Sequence, residues 1–312
     1  MTLSQLQYAL AVFNHQHFGK AAEACHVTQP TLSMQVQKLE DELGVSLFHR
    51  EKHPVLPTEV GLRLLTQAQK VMDETRKIED MVRELRGSLT GDFRLAIIPT
   101  LAPSLLYRII PKLKKSLPEV RFHIVEMQTE RIIEALERHE VDAGLLATPL
   151  GERQLKEQVL FYEPFMAFVP EGHRLSEEAF ILHSELKIDD LLLLTEGHCF
   201  RNSVLKLCKE AGSTSFTKRQ IELESGNFDA LLKLSKLGMG MTLLPYLTAA
   251  DLPKSEQKHL KPLDHPVPTR EISLVYHQTQ VRKKLTDKIA EVVKAAVPDR
   301  LLNEKNKVIS PF

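Results

Sequence analysis

Residues 59–86 contain no proline, and their one glycine, Gly61, falls in the first turn of what must be a long helix. Along it Leu64, Ala68, Val71, Thr75, Ile78, Val82 and Leu85 recur at intervals of four and three. That is the heptad period of a helix burying a narrow seam. The other positions are densely charged, so the seam predicts pairing with a second copy of itself; packing within its own domain is the alternative. Leu64, Ala68, Val71, Ile78, Val82 and Leu85 are the candidate dimerisation residues. The helix also divides the chain into residues 1–58, a linker and dimerisation helix over 59–88, and a larger part over 89–312.

The first 58 residues read as short helices joined by tight turns. Leu3, Leu6, Leu10 and Phe13 sit at helical spacing, and a second helix runs from Phe18 through Ala21, Ala22 and Ala24. After a turn at His26-Val27, Thr28 can cap a third helix with Pro30 in its first turn, and Gly44 stops it. Leu32, Val36, Leu39 and Leu43 define its inward face. Pro30, Thr31, Ser33, Met34, Gln37 and Lys38 are then outward, with Gln29 free at the start. Short polar side chains at such a helix start suit base-edge and phosphate contacts in a major groove, and a solvated face is the bland alternative. Residues 48–58 read as strand, turn and strand, a wing bringing Arg50, Lys52 or His53 towards phosphates. Bulk charge gives no support: the chain carries 41 basic and 41 acidic residues. Local placement and dimerisation must therefore supply the contacts to DNA.

Beyond Gly87 and Gly91 strands and helices alternate, which implies a parallel α/β sheet. Strands fall at Phe93–Ile98, Val120–Glu126, Ala143–Ala147 and Ile272–Tyr276, with helices over 103–116, about 131–138 and about 282–296. Leu191–Leu194 and the run ending Thr242-Leu243-Leu244-Pro245 read as further units. Gly238-x-Gly240 needs no role beyond a tight turn, and the tail, 301–312, reads as irregular and dispensable. No apolar stretch approaches the ~18 residues of a membrane helix, and the N-terminus lacks a signal-peptide pattern, so a cytoplasmic location is expected, without membrane association. Neither a metal motif nor a nucleotide loop is present, and no cofactor is expected. Three cysteines, Cys25, Cys199 and Cys208, cannot make a disulfide framework, and each alone reads as a small buried hydrophobe.

Residues 21–50, AAEACHVTQPTLSMQVQKLEDELGVSLFHR, strongly resemble the LysR-type transcriptional regulators, and the likeness covers the whole chain. It implies an α/β protein with an N-terminal winged helix-turn-helix, a long linker helix and a two-lobed regulatory domain like a type 2 periplasmic binding protein. The lobes would comprise about 91–162 with 268–300, and about 163–267, with the chain crossing near Tyr162–Pro164 and Pro266–Pro268. A homodimer or homotetramer binding double-stranded DNA follows, with RNA polymerase as a further partner and no enzymatic activity. Pro57 departs from the pattern, because without an N–H it would end the wing's second strand early.

Glu196-Gly197-His198-Cys199-Phe200-Arg201 followed by Cys208 is similar to the hydrogen-peroxide-sensing members of that family, which activate oxidative-stress genes. Ile98-Pro99-Thr100, Gln128-Thr129, Cys25 and Arg270 agree with them, whereas Asn202 stands where an acidic residue is expected. The resemblance implies that Cys199 reacts with peroxide and Cys208 resolves it to a reversible disulfide. Thr100, Thr129, His198, Arg201 and Arg270 would line the peroxide pocket, and a thiol reductant such as glutaredoxin or thioredoxin would reset the protein. Chemically, Cys199 at the start of a helix over 199–211 should gain a stabilised thiolate from the helix dipole and from His198 and Arg201. Residues 195–220 must then refold on oxidation, because nine helical positions separate the two sulfurs. Two alternatives stay open: a small organic anion bound between the lobes with incidental cysteines, and a thiol peroxidase.

Overall fold

The computed structural model describes residues 1–212, 225–303 and 307–311, in two compact units that divide after Arg86. In the first, α1 (Leu3–His15), α2 (Phe18–Ala24) and α3 (Gln29–Leu43) precede two-residue strands β1 (Phe48–His49) and β2 (Leu56–Pro57), and α4 (Glu59–Leu85) closes the unit. Thr28 caps α3 by accepting the Thr31 N–H at 3.4 Å, and Gly44 ends it at φ 69°. Leu32, Val36 and Leu39 are buried with Leu6, Leu10, Leu47, Phe48 and Leu65, but Leu43, expected inside, is exposed. The wing strands pair antiparallel through Phe48–Pro57 and His49–Leu56, and β2 stops at Pro57.

The second unit begins with β3 (Gly91–Ile97), α5 (Ala102–Ser116), β4 (Val120–Glu126), α6 (Thr129–Glu137) and β5 (Ala143–Thr148). The 14-residue β6 (Leu155–Phe168) leads to α7 (Cys199–Glu210), α8 (Phe228–Lys236), β7 (Thr242–Pro245), α9 (Tyr246–Ala250), α10 (Lys254–Gln257) and β8 (Leu260–Pro262). β9 (Pro268–His277), α11 (Lys283–Lys294), α12 (Arg300–Asn303) and β10 (Lys307–Val308) complete it.

The sheet is mixed, not wholly parallel: β3 is parallel to β4 and β5, but β9 runs antiparallel to both β5 and β6. The alternation of strands and helices fixes direction only where a helix joins neighbouring strands, and β9 arrives from the far lobe instead. β6 pairs with β9 through Pro164 and with β7 from Phe165 onward, so one strand serves both lobes. Among the described residues Leu191–Leu194 forms single bridges, to Met241 and Ser225.

Each lobe has its own core. One packs Phe93, Leu95, Ile97, Leu105, Ile109 and Leu145 with Ile289 and Val293. The other packs Phe165, Phe168, Val204, Leu207, Leu231 and Leu244. The described part of the tail is not free: β10 pairs with β9, Ile309 is buried in the second core, and Lys206 of α7 donates to the Ser310 carbonyl at 3.3 Å. Lys307 also forms an ion pair with Glu210 of α7. Among the described residues no helix is long and apolar enough to cross a membrane.

Candidate functional site

On the first unit, α3 leaves Gln29, Pro30, Thr31, Met34, Gln37 and Lys38 exposed and Ser33 half-buried. The Thr31 hydroxyl shares a hydrogen bond with Thr28 at 2.8 Å, and Gln37 donates to Asp41 at 2.9 Å. Lys52 stands exposed at the wing turn. Arg50 does not point freely outward. Its guanidinium pairs with buried Glu40 at 2.6 Å, reaches the Ser33 hydroxyl at 3.5 Å and lies 5.3 Å from the Phe18 ring centroid. The other Glu40 oxygen accepts the Leu47 and Phe48 N–H groups at 2.6 and 3.3 Å. Glu40 thus ties the wing to α3, and Arg50 completes that tie. The sequence signal for it was a carboxylate one position beyond the buried Leu39.

α4 divides its seam. Leu65 and Ala68 are buried and Leu64 half-buried in the unit's own core, whereas Val71, Ile78, Val82 and Leu85 are exposed, Ile78 at 64% and Leu85 at 85%. The in-domain reading of the heptad holds for its first turns, and the remainder is an exposed apolar stripe.

In the second unit, Thr100, Thr129, His198, Cys199 and Arg270 are all buried. Thr100 follows β3, Thr129 opens α6, His198 precedes α7, Cys199 opens it, and Arg270 lies on β9. Arg270 Nη1 donates to the Thr100 hydroxyl at 3.0 Å and Nη2 to the Thr100 carbonyl at 3.3 Å. Its guanidinium also lies 5.5 Å from the Phe200 ring centroid. Across the strand pair sits Glu163, fully buried, whose Oε2 accepts from Arg270 Nε at 2.9 Å and forms an ion pair with Nη2 at 2.8 Å. The Glu163 Oε1 accepts the Leu247 N–H at 2.7 Å. Sequence reasoning missed Glu163, although a carboxylate between Phe161-Tyr162 and Pro164-Phe165 in an apolar run signals a buried, partnered charge. The Arg201 side chain forms its ion pair with exposed Glu196, at 4.0 Å.

The expectation of a stabilised Cys199 thiolate is overturned. Burial pushes the Cys199 thiol up, outweighing the Thr129 hydroxyl, the Arg270 charge and the Phe200 N–H, which all favour the thiolate, while Glu130 opposes it. One helix N-terminus does not offset removal of a charge from water. His198 is pushed down by burial, against the pull of Glu130, and is neutral near pH 7. The Thr129 hydroxyl oxygen is buried and completes no hydrogen bond among the described residues, so it acts on the sulfur as a neighbour short of a formed bond. Burial also raises the Cys208 thiol, to about 11. Cys25 is half-buried and likewise raised. Of the 195–220 segment expected to refold, 213–220 lie outside the described residues.

A helix-turn-helix with a wing, joined through a long helix to a two-lobed α/β unit, defines a DNA-binding transcription regulator rather than an enzyme. The bacterial regulatory helix-turn-helix pattern of the lysR family matches residues 3–62, and the LysR substrate binding domain matches residues 86–298. The chain belongs to the LysR family. It is 33% identical over 295 residues to the DNA-binding transcriptional dual regulator OxyR of Escherichia coli K12, covering 95% of each chain. Among solved structures it resembles a full-length OxyR variant from Pseudomonas aeruginosa, at 34% identity and a TM-score of 0.75, covering 94% of this chain and 98% of that one. It also resembles a hydrogen-peroxide-bound cysteine-to-serine mutant of Corynebacterium glutamicum OxyR, at 28% identity and a TM-score of 0.64, covering 95% and 92%.

Proposed function

We propose that this regulator senses hydrogen peroxide through a reversible Cys199–Cys208 disulfide and thereby controls oxidative-stress genes. The observation that carries the reading is the buried Thr129 hydroxyl, which completes no hydrogen bond among the described residues, beside the buried Cys199 sulfur and the Arg270 charge. A buried polar atom is normally satisfied, and peroxide is a guest of about water's size that can both donate and accept there. Cys199 transfers its proton and attacks one peroxide oxygen; the O–O bond breaks, giving the sulfenic acid and water. The Cys208 thiol then attacks that sulfur, its proton joining the departing hydroxide as a second water, and the S–S bond forms as the S–O bond breaks. Because burial holds the Cys199 thiol high, reactivity comes from positioning of the peroxide, and the rate rises with pH as the thiolate fraction grows.

Charge balance argues against an organic anion at this position: Arg270 is already neutralised by Glu163. Around the sensor, residues 1–58 bind double-stranded DNA through Gln29, Pro30, Thr31, Ser33, Met34, Gln37, Lys38 and Lys52. Residues 59–88 pair the protomers into a homodimer or homotetramer, and 89–312 regulate. The protein acts in the cytoplasm, contacts RNA polymerase and is reset by a thiol reductant such as glutaredoxin or thioredoxin. Thiol trapping after brief exposure to low peroxide tests the reading. A Cys199–Cys208 bond with free Cys25 is expected, and in Cys208→Ser a sulfenic acid at Cys199. Both thiols remaining alkylatable, or Cys25 reacting instead, would overturn it.

A further inference from the structure

We propose that Glu163 is the positioning residue of the peroxide site, holding the Arg270 guanidinium so that its remaining face serves Thr100 and the Cys199 sulfur. This rests on the peroxide-sensing reading above. Arg270 carries one charge that must serve two ends. Its Nε–Nη2 edge is taken by the Glu163 carboxylate, at 2.9 and 2.8 Å, and Nη1 and Nη2 reach the Thr100 hydroxyl and carbonyl. A carboxylate oxygen held against the Nε–Nη2 edge restrains the guanidinium, so the carboxylate biases where its Nη1 side points.

Glu163 is itself fixed. It lies opposite Arg270 in the β6–β9 register, is fully buried, and has its second oxygen held by the Leu247 N–H at 2.7 Å. Leu247 belongs to α9, directly after β7 of the other lobe, while Phe200 under the guanidinium belongs to α7. The carboxylate stands one residue before the point where β6 leaves β9 for β7. It therefore joins the strand crossing between the lobes to the arginine whose charge acts on the reactive thiol. A purely structural role would need charge neutralisation alone. The geometry adds aim, because Nε donates to Glu163 while Nη1 and Nη2 donate to Thr100, so the guanidinium is held from both sides.

The test separates aim from fold in full-length protein carrying Cys25→Ser and Cys208→Ser, so that Cys199 is the one thiol. Rates with hydrogen peroxide and with iodoacetamide are measured in this parent and in Glu163→Gln. Iodoacetamide needs the thiolate but no peroxide positioning. Without the carboxylate, Arg270 swings from Thr100 while its unbalanced charge still favours the thiolate. The peroxide rate should fall tenfold or more, with the iodoacetamide rate equal to the parent's or higher. Both rates unchanged, or both moved by one common factor, would overturn the proposal. Should Glu163→Gln not fold, Glu163→Asp decides. It keeps the charge one methylene further back, and a severalfold lower peroxide rate with unchanged alkylation is expected; a parent-like peroxide rate overturns the proposal. A parent that reacts with peroxide no faster than free cysteine would instead remove the sensing reading, and this proposal with it.

Discussion

Cys199 and Cys208 lie nine residues apart on one unbroken helix, and each is buried in a different hydrophobic core: Cys199 with Ile97, Leu101 and Leu247, Cys208 with Val204, Leu207 and Phe168. Nine residues advance an α-helix by ~13–14 Å and turn it to the opposite face. A disulfide requires Cα atoms within about 7 Å, so α7 cannot stay whole while the bond exists. Val204 and Leu207 must leave their places or repack with it.

The exposed part of the α4 seam should mediate self-association. Ile78→Asp places two like carboxylates in one apolar contact, and sedimentation should show protomers where the parent shows dimers or larger assemblies. An unchanged assembly state would mean that the stripe is covered in some other way.

Replacing Gln29 or Lys38 with Ala should weaken specific DNA binding while melting and sedimentation stay unchanged. A lost base contact at Gln29 would cost about 1–3 kcal/mol. Loss of Lys38, as a phosphate contact, should reduce the salt dependence of binding. Thr31→Ala carries a second effect, because it also removes the hydroxyl partner of the Thr28 cap. Binding curves identical to the parent for all three would remove α3 from the DNA interface.

The tail should matter for stability. Ile309→Ala should destabilise the regulatory unit by about 2–5 kcal/mol, the usual range for a buried isoleucine, measured by denaturant unfolding of the reduced protein. Ending the chain before Lys307 should cost more, since the β10 pairing and both tail contacts to α7 go with it. Truncated protein as stable as the parent would restore the tail's dispensability.

What the sequence disclosed and what it hid follow from the range of the forces involved. The α3 boundaries were legible because Thr28, Pro30 and Gly44 act within a turn of their own positions. The resemblance brought Thr100, Thr129 and Arg270 together, and the fold sets Arg270 against Thr100. Glu163, Glu40 and the pairing of Arg50 were hidden, since each depends on partners from 7 to 107 residues away. The antiparallel entry of β9 and the burial of Ile309 are likewise tertiary outcomes that no local period encodes. The thiolate stabilisation expected at Cys199 failed for the same reason: helix-end effects were visible in the sequence, whereas the desolvation that outweighs them was not.

Hydrogen exchange across α7, compared between reduced protein and protein shown by mass spectrometry to carry the Cys199–Cys208 bond, tests the switch most directly. The account predicts loss of protection throughout residues 199–210 on oxidation, with smaller changes at the tail residues that hold Lys206 and Glu210. Equal protection of α7 in both states would contradict it.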